Sequence, residues 1–154
     1  MSKLLSLFFV LLTAATLSAQ ELKKEKVNLG PWENDIGYAQ AVRVGNTLYV
    51  SGSVGAGPMD QAIEHAFGTI QRTLARYGLD FRHVVKENAY TTDLEALKAA
   101  KEVRKKYYGA DFPAATWVQV VRLFQPEYVL EVEVVAIFPE PAAGAAPAKP
   151  AEAP

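Results

Sequence analysis

Two hydrophobic rhythms, one of period two and one of three to four residues, take turns along residues 36–137. "QAVRVGNTLYVSG" holds two alternating runs split by Gly45-Asn46, a pair suited to a tight hairpin because glycine accepts positive φ, so strands are predicted over 39–44 and 47–52. "GSVGAGP" then reads as a flexible connection. From Pro58, a favourable first helical residue, Met59, Ala62, Ile63, Ala66, Phe67, Ile70, Leu74 and Tyr77 recur at three- and four-residue spacing, an amphipathic helix stopped by Gly78. "VVKENAYTTD" predicts a third strand. Asp93 stands where it can cap a second helix, whose stripe of Leu94, Leu97, Ala100, Val103 and Tyr107 ends at Gly109. Two last strands, 115–123 and 129–137, are separated by "FQPEY", giving the order ββαβαββ.

Two helices cover one face of such a sheet and leave the other over. Alternation along "FPAATWVQVVRL" puts Ala115, Trp117, Gln119, Val121 and Leu123 on one face and Thr116, Val118, Val120 and Arg122 on the other. If the last two strands form a hairpin around Gln125-Pro126, Val121 lies opposite Glu131, Gln119 opposite Glu133 and Trp117 opposite Val135. The face so formed is half apolar and half acidic, whereas Val118, Val120, Leu130, Val132 and Val134 make the face for helices. A mixed second face of this kind suits a subunit interface with polar pockets.

Composition adds the ends of the chain. Lys3, the apolar run "LLSLFFVLLTAATL" and the small pair Ser18-Ala19 ahead of "QELKKEK" have the form of a secretory signal peptide, short for a membrane span of ~20 apolar residues. Residues 1–19 are read as that signal, cleaved near Ala19, residues 20–35 as a lead-in, 36–139 as the domain, and 140–154, rich in Pro and Ala, as a disordered tail. A soluble secreted or periplasmic product, with no membrane attachment after cleavage, is the expectation. The formal net charge of −1, from 16 Lys and Arg against 17 Asp and Glu, provides no field for nucleic acid. Cysteine is absent and the two histidines stand alone, so neither thiolate chemistry nor a metal site is expected, and no cofactor.

Candidate chemistry is sparse. "SGSVGAG" sits where phosphate loops sit, yet lacks both GxGxxG and GxxxxGK[ST]. Ser51 and Ser53 lack a GxSxG elbow, and His65 and His83 are isolated. Glu131 and Glu133, two apart on a strand, point the same way, a pair in which one carboxylate raises the pKa of the other and poises it for acid/base work. Lys101, Arg104, Lys105 and Lys106 form a charge run on the second helix.

"GYAQAVRVGNTLYVSG", "VVKENAYTTDLEAL", "YYG…FPA…VQVVRL" and "LEVEVVAI" together resemble, in order and spacing, successive blocks of the reactive-intermediate deaminase (RidA/YjgF) family. The resemblance implies a chorismate-mutase-like α+β subunit, a mixed sheet with two helices on one face, assembled as a homotrimer with ligand clefts between subunits. It further implies cofactor-free hydrolysis of 2-imino or 2-enamino acids to 2-keto acids and ammonia. Enzymatic members carry an arginine directly after "PA" that forks onto the substrate carboxylate; here that position is Ala115. Arg122 matches a second family arginine, and Lys101 stands where many members have asparagine. Tyr38, Gly52 and Glu131 match the rest of the site, with Glu131 orienting water, and Trp117 lies beside Ala115 as a further ligand contact. The expectation is a small-molecule binder on the trimer scaffold, with an imine/enamine deaminase whose arginine comes from Arg104 or Arg43, and a chaperone-like interaction module, as alternatives.

Overall fold

The computed structural model describes residues 22–140; the predicted signal segment and the tail beyond Glu140 lie outside them. Strand β1 (Lys24–Val27) and a one-turn helix α1 (Trp32–Asp35) precede the predicted pattern. Then follow β2 (Ala41–Val44), β3 (Thr47–Ala56), α2 (Met59–Arg76), β4 (Val84–Thr91), α3 (Leu94–Ala99), α4 (Lys101–Tyr108), β5 (Ala114–Gln119) and β6 (Tyr128–Ile137). The α+β architecture expected from the pattern is therefore present, with β1 added at one edge.

Local chemistry accounts for the joints. Gly45 makes the β2–β3 turn at φ +60°, and Gly78 and Gly109 end α2 and α4 at φ +69° and +62°. The Asp93 carboxylate accepts the Ala96 N–H at 2.9 Å, the predicted cap. The predicted second helix is broken in two at Ala100, whose φ/ψ of −84°/8° leaves the helical well; the stripe nevertheless continues, with Leu97 and Tyr108 buried.

The six strands run in the order β1-β2-β3-β6-β4-β5. This overturns the expected hairpin of the last two strands. β5 lies parallel to β4, and β6 inserts between β3 and β4, antiparallel to both. The physical reason is in the connections. A strand joined to the next by a helical crossover comes back parallel, and α3 and α4 are that crossover. β6 alternates most regularly, with Leu130, Val132, Val134 and Ala136 all sealed from water, so the sheet gains most by placing it at the centre. β5, largely exposed, takes the edge.

Register then reassigns the faces. Glu87 pairs with Val134 on one side and Ala115 on the other, and Ala89 with Val132 and Trp117, so Ala115 and Trp117 belong to the helix-covered face. Asn88 pairs with Glu133 and Thr116, and Tyr90 with Glu131 and Val118, so these residues share the open face. The expected company of Trp117 and Gln119 with Glu131 and Glu133 is thus corrected: the sheet separates them. Val121 lies beyond β5, fully exposed. The core between sheet and helices is built from Ile63, Ala66, Phe67, Ile70 and Leu74 of α2 against Leu48, Val50 and the inward residues of β6. Phe67 stacks on Phe81 and meets Tyr107 and Tyr108.

Candidate functional site

The open face brings together three of the predicted site residues. β3 bulges between Val50 and Ser53, which turns the Gly52 carbonyl toward Tyr38; the phenol donates to it at 3.2 Å, with the Gln40 Oε1 as its other acceptor at 3.3 Å. Trp32 stacks on Tyr38, ring centroids 5.9 Å apart. Gly52 is glycine because of Glu131: a Cβ there would stand 1.9 Å from Glu131 Oε1. Tyr38, Gly52 and Glu131 therefore form one cluster, as the sequence reading grouped them.

The two strand carboxylates differ sharply in surroundings. Glu133 accepts from Asn88 Nδ2 at 2.8 Å and from the Tyr90 hydroxyl at 3.1 Å. Glu131 has no hydrogen-bond partner among the described residues, and burial, with the Glu133 charge adding to it, raises its pKa above the usual carboxylate range. Burial likewise raises the Tyr38 pKa. A half-buried, unpartnered carboxylate beside a backbone carbonyl is equipped to hold a proton or orient a water.

The raised Glu131 value has a consequence for stability. A carboxyl whose folded pKa exceeds its unfolded one contributes stability that is complete below the unfolded value and lost as pH rises through the folded one. Glu131→Gln is therefore expected to flatten the fall in melting temperature between about pH 4 and about pH 7. Melts of both proteins across that range check this, and parallel curves would show that Glu131 titrates normally.

Ala115 and Trp117 lie elsewhere, on the helix-covered face at the β5 edge. Here sits a buried cluster that the sequence reading missed. Glu87, fully buried, accepts from Arg104 Nε at 2.9 and 3.0 Å, from the Tyr108 hydroxyl at 2.7 Å and from Trp117 Nε1 at 2.8 Å. Burial and the Glu87 charge push the Tyr108 pKa far up. The one available signal is phase: Glu87 alternates in step with Ala89 and Thr91, whose side chains face inward.

Of the two arginines considered as replacements, Arg104 is on the face of Ala115 and Arg43 is not. Arg43 lies over the Phe138 ring at 3.9 Å and donates to the Gly45 carbonyl, with three strands between it and β5. Arg122, beyond β5, donates to the Phe124 carbonyl in an exposed turn, and Lys101 is exposed at the start of α4. His83 Nδ1 lies 3.2 Å from the Asp80 N–H, closing the short turn of 81–83, which gives that histidine a structural post. "SGSVGAG", expected to be a connection, is instead the second half of β3, and the described residues contain no cluster suited to a metal.

A six-stranded mixed sheet backed by helices, with carboxylates on its uncovered face, defines an α+β protein of the kind that closes its open face with further copies or ligands. The family model described as "Endoribonuclease L-PSP" matches residues 33–138, and the chain belongs to this family, the RidA/YjgF proteins. A human protein named 2-iminobutanoate/2-iminopropanoate deaminase is 31% identical over 109 residues, 65% of this chain and 79% of the relative. The protein of the same name from Dermatophagoides farinae is 30% identical over 110 residues, covering 66% of this chain and 85% of its own. A solved member of the YjgF/YER057c/UK114 family from Mycobacterium tuberculosis superposes with a TM-score of 0.69 at 28% identity, covering 75% of this chain and 99% of that one.

Proposed function

We propose that the protein is exported, assembles as a homotrimer, and binds a small metabolite in clefts between its subunits, with little or no turnover of 2-imino acids. The observation that carries this reading is the separation of Tyr38, Gly52 and Glu131 from Ala115 and Trp117 by the thickness of the sheet. Within one chain the two groups cannot face a common ligand; a second copy, laying its β5 edge against the first copy's open face, brings them together. Tyr49, Val118 and Val135 add apolar surface to that open face, and Ser51, Lys86 and Asn88 line a shallow depression on it. Such a face favours burial against another copy.

Two relatives are named for 2-imino acid hydrolysis, and Glu131 supplies the acid/base end of that chemistry. Ala115 lacks the guanidinium that the family resemblance places there, so the substrate carboxylate loses its fork, a contact worth ~2–5 kcal/mol when its partner is buried. The wording of the family model names an endoribonuclease, but a net charge of −1 is a poor start for holding a phosphate backbone.

The test couples an amino-acid oxidase to keto-acid appearance, using the chain from residue 20 on. Wild type should run close to buffer hydrolysis, Ala115→Arg should create measurable activity, and Ala115→Arg with Glu131→Ala should abolish it. Wild-type turnover equal to that of an arginine-bearing relative would refute weak catalysis. A monomer in light scattering at micromolar concentration would remove the cleft itself.

A further inference from the structure

We propose that Arg104, not any residue of β5, is the anion-binding group of this protein, and that it takes the carboxylate of a small organic acid that enters over Ala115. The proposal rests on the ligand-binding reading above and names the ligand's chemistry. Glu87 and Ala115 are register partners, so the guanidinium that Glu87 holds lies on the face of Ala115. Only Nε of Arg104 is engaged, by both Glu87 oxygens. The two Nη groups find no acceptor among the described residues, and they are not among the sealed unpartnered atoms, although the side chain is only 9% exposed.

A guanidinium that is nine-tenths buried and half unsatisfied is costly unless something meets its free N–H groups. The walls around it are aromatic: its Cζ lies 4.8 Å from the Tyr108 ring centre, 5.2 Å from Trp117 and 5.9 Å from Phe112. Rings fix its plane and exclude water but accept no conventional hydrogen bond. The two Nη groups present the donor pair that matches a carboxylate. Glu87 neutralises much of the charge, which favours a ligand with one carboxylate over a multiply charged anion. The way in is short of bulk, because Ala115 is exposed and carries a single methyl group. A large side chain at this position would close the approach.

The experiment titrates 2-oxobutanoate, with uncharged 2-butanone as its comparison, into the chain from residue 20 on, following the Trp117 indole N–H by nuclear magnetic resonance. Trp32→Phe identifies that signal. The Trp117 signal should move with 2-oxobutanoate and stay still with 2-butanone, and Arg104→Gln should weaken binding about tenfold or more. Because Arg104→Gln leaves Glu87 buried and short of a donor, Ala115→Leu is the second variant; it alters an exposed position, leaves the ion pair whole, and should weaken binding as much. Unchanged affinity in Ala115→Leu, or equal binding of the two compounds, overturns the proposal. Loss of binding in Glu131→Gln alone, with Arg104→Gln and Ala115→Leu unaffected, overturns it while leaving the cleft reading intact. Loss in Arg104→Gln and Ala115→Leu, but not in Glu131→Gln, upholds it and removes the cleft. Binding of neither compound to wild type removes both.

Discussion

Glu87→Ala is expected to cost about 3–5 kcal/mol of stability, a large part of what a domain of this size has. The substitution strands three donors at once: the Arg104 guanidinium, the Tyr108 hydroxyl and the Trp117 indole N–H all lose the acceptor that justified their burial. Tyr108 also packs on Phe67 and Phe81, so loosening it opens the aromatic end of the core. Urea denaturation reads the change. Glu87→Gln should cost less, because an amide oxygen still accepts from the neighbours. Glu87→Met with Arg104→Met should recover most of the loss, since removing both members of a buried pair leaves no orphaned charge. A loss under about 1 kcal/mol for Glu87→Ala would mean that water already reaches the cluster.

Gly55→Ala should be the next most damaging change, at about 3 kcal/mol or more. An added Cβ would stand 2.1 Å from the Ala62 carbonyl oxygen, and 2.6 Å from both the Ala62 carbonyl carbon and Cα. These are backbone atoms of the first turns of α2, and the helix cannot back away without lifting Ile63, Ala66 and Phe67 out of the core. Gly52→Ala makes an instructive contrast. Its Cβ collides only with the Glu131 side chain, which can swing aside, so stability should change little while ligand binding is lost. Thermal melts of the two alanine variants separate the cases. Equal melting temperatures would show that α2 rides further from β3 than its glycine suggests.

These two glycines mark where the sequence was misread. A cluster of small residues after a strand looks like slack chain, because local composition carries no information about what approaches from elsewhere. In fact Gly52 and Gly55 are inside β3, each small on account of a partner about 79 or 7 residues further on, Glu131 and Ala62 respectively. The strands and helices themselves were legible, since alternation and the Ala62–Leu74 stripe are local properties. Pairing was not. Parity shows that Ala115 and Trp117 share a face, but only the neighbouring strand decides which face that is, and the assumed hairpin chose the wrong neighbour. The helical crossover from β4 to β5 was the feature to weigh, since it demands a parallel return. Tyr38, Gly52 and Glu131 were reached by family resemblance; the Glu87–Arg104 cluster was hidden because an acidic residue within "VVKENAYT" reads as solvated until its phase is compared with Ala89 and Thr91.

The place of β6 reaches beyond packing, into the order of events during synthesis. The strand that joins β1-β2-β3 to β4-β5 is the last one made. Until residues 128–137 are free, the growing chain owns two partial sheets, each with an unpaired edge and an α2 that has only half its floor. Cooperative closure therefore waits for completion of the chain, and nearly everything before it stays loosely folded while the ribosome is still at work. A polypeptide with that schedule is in a suitable state to be threaded through a narrow channel before it folds.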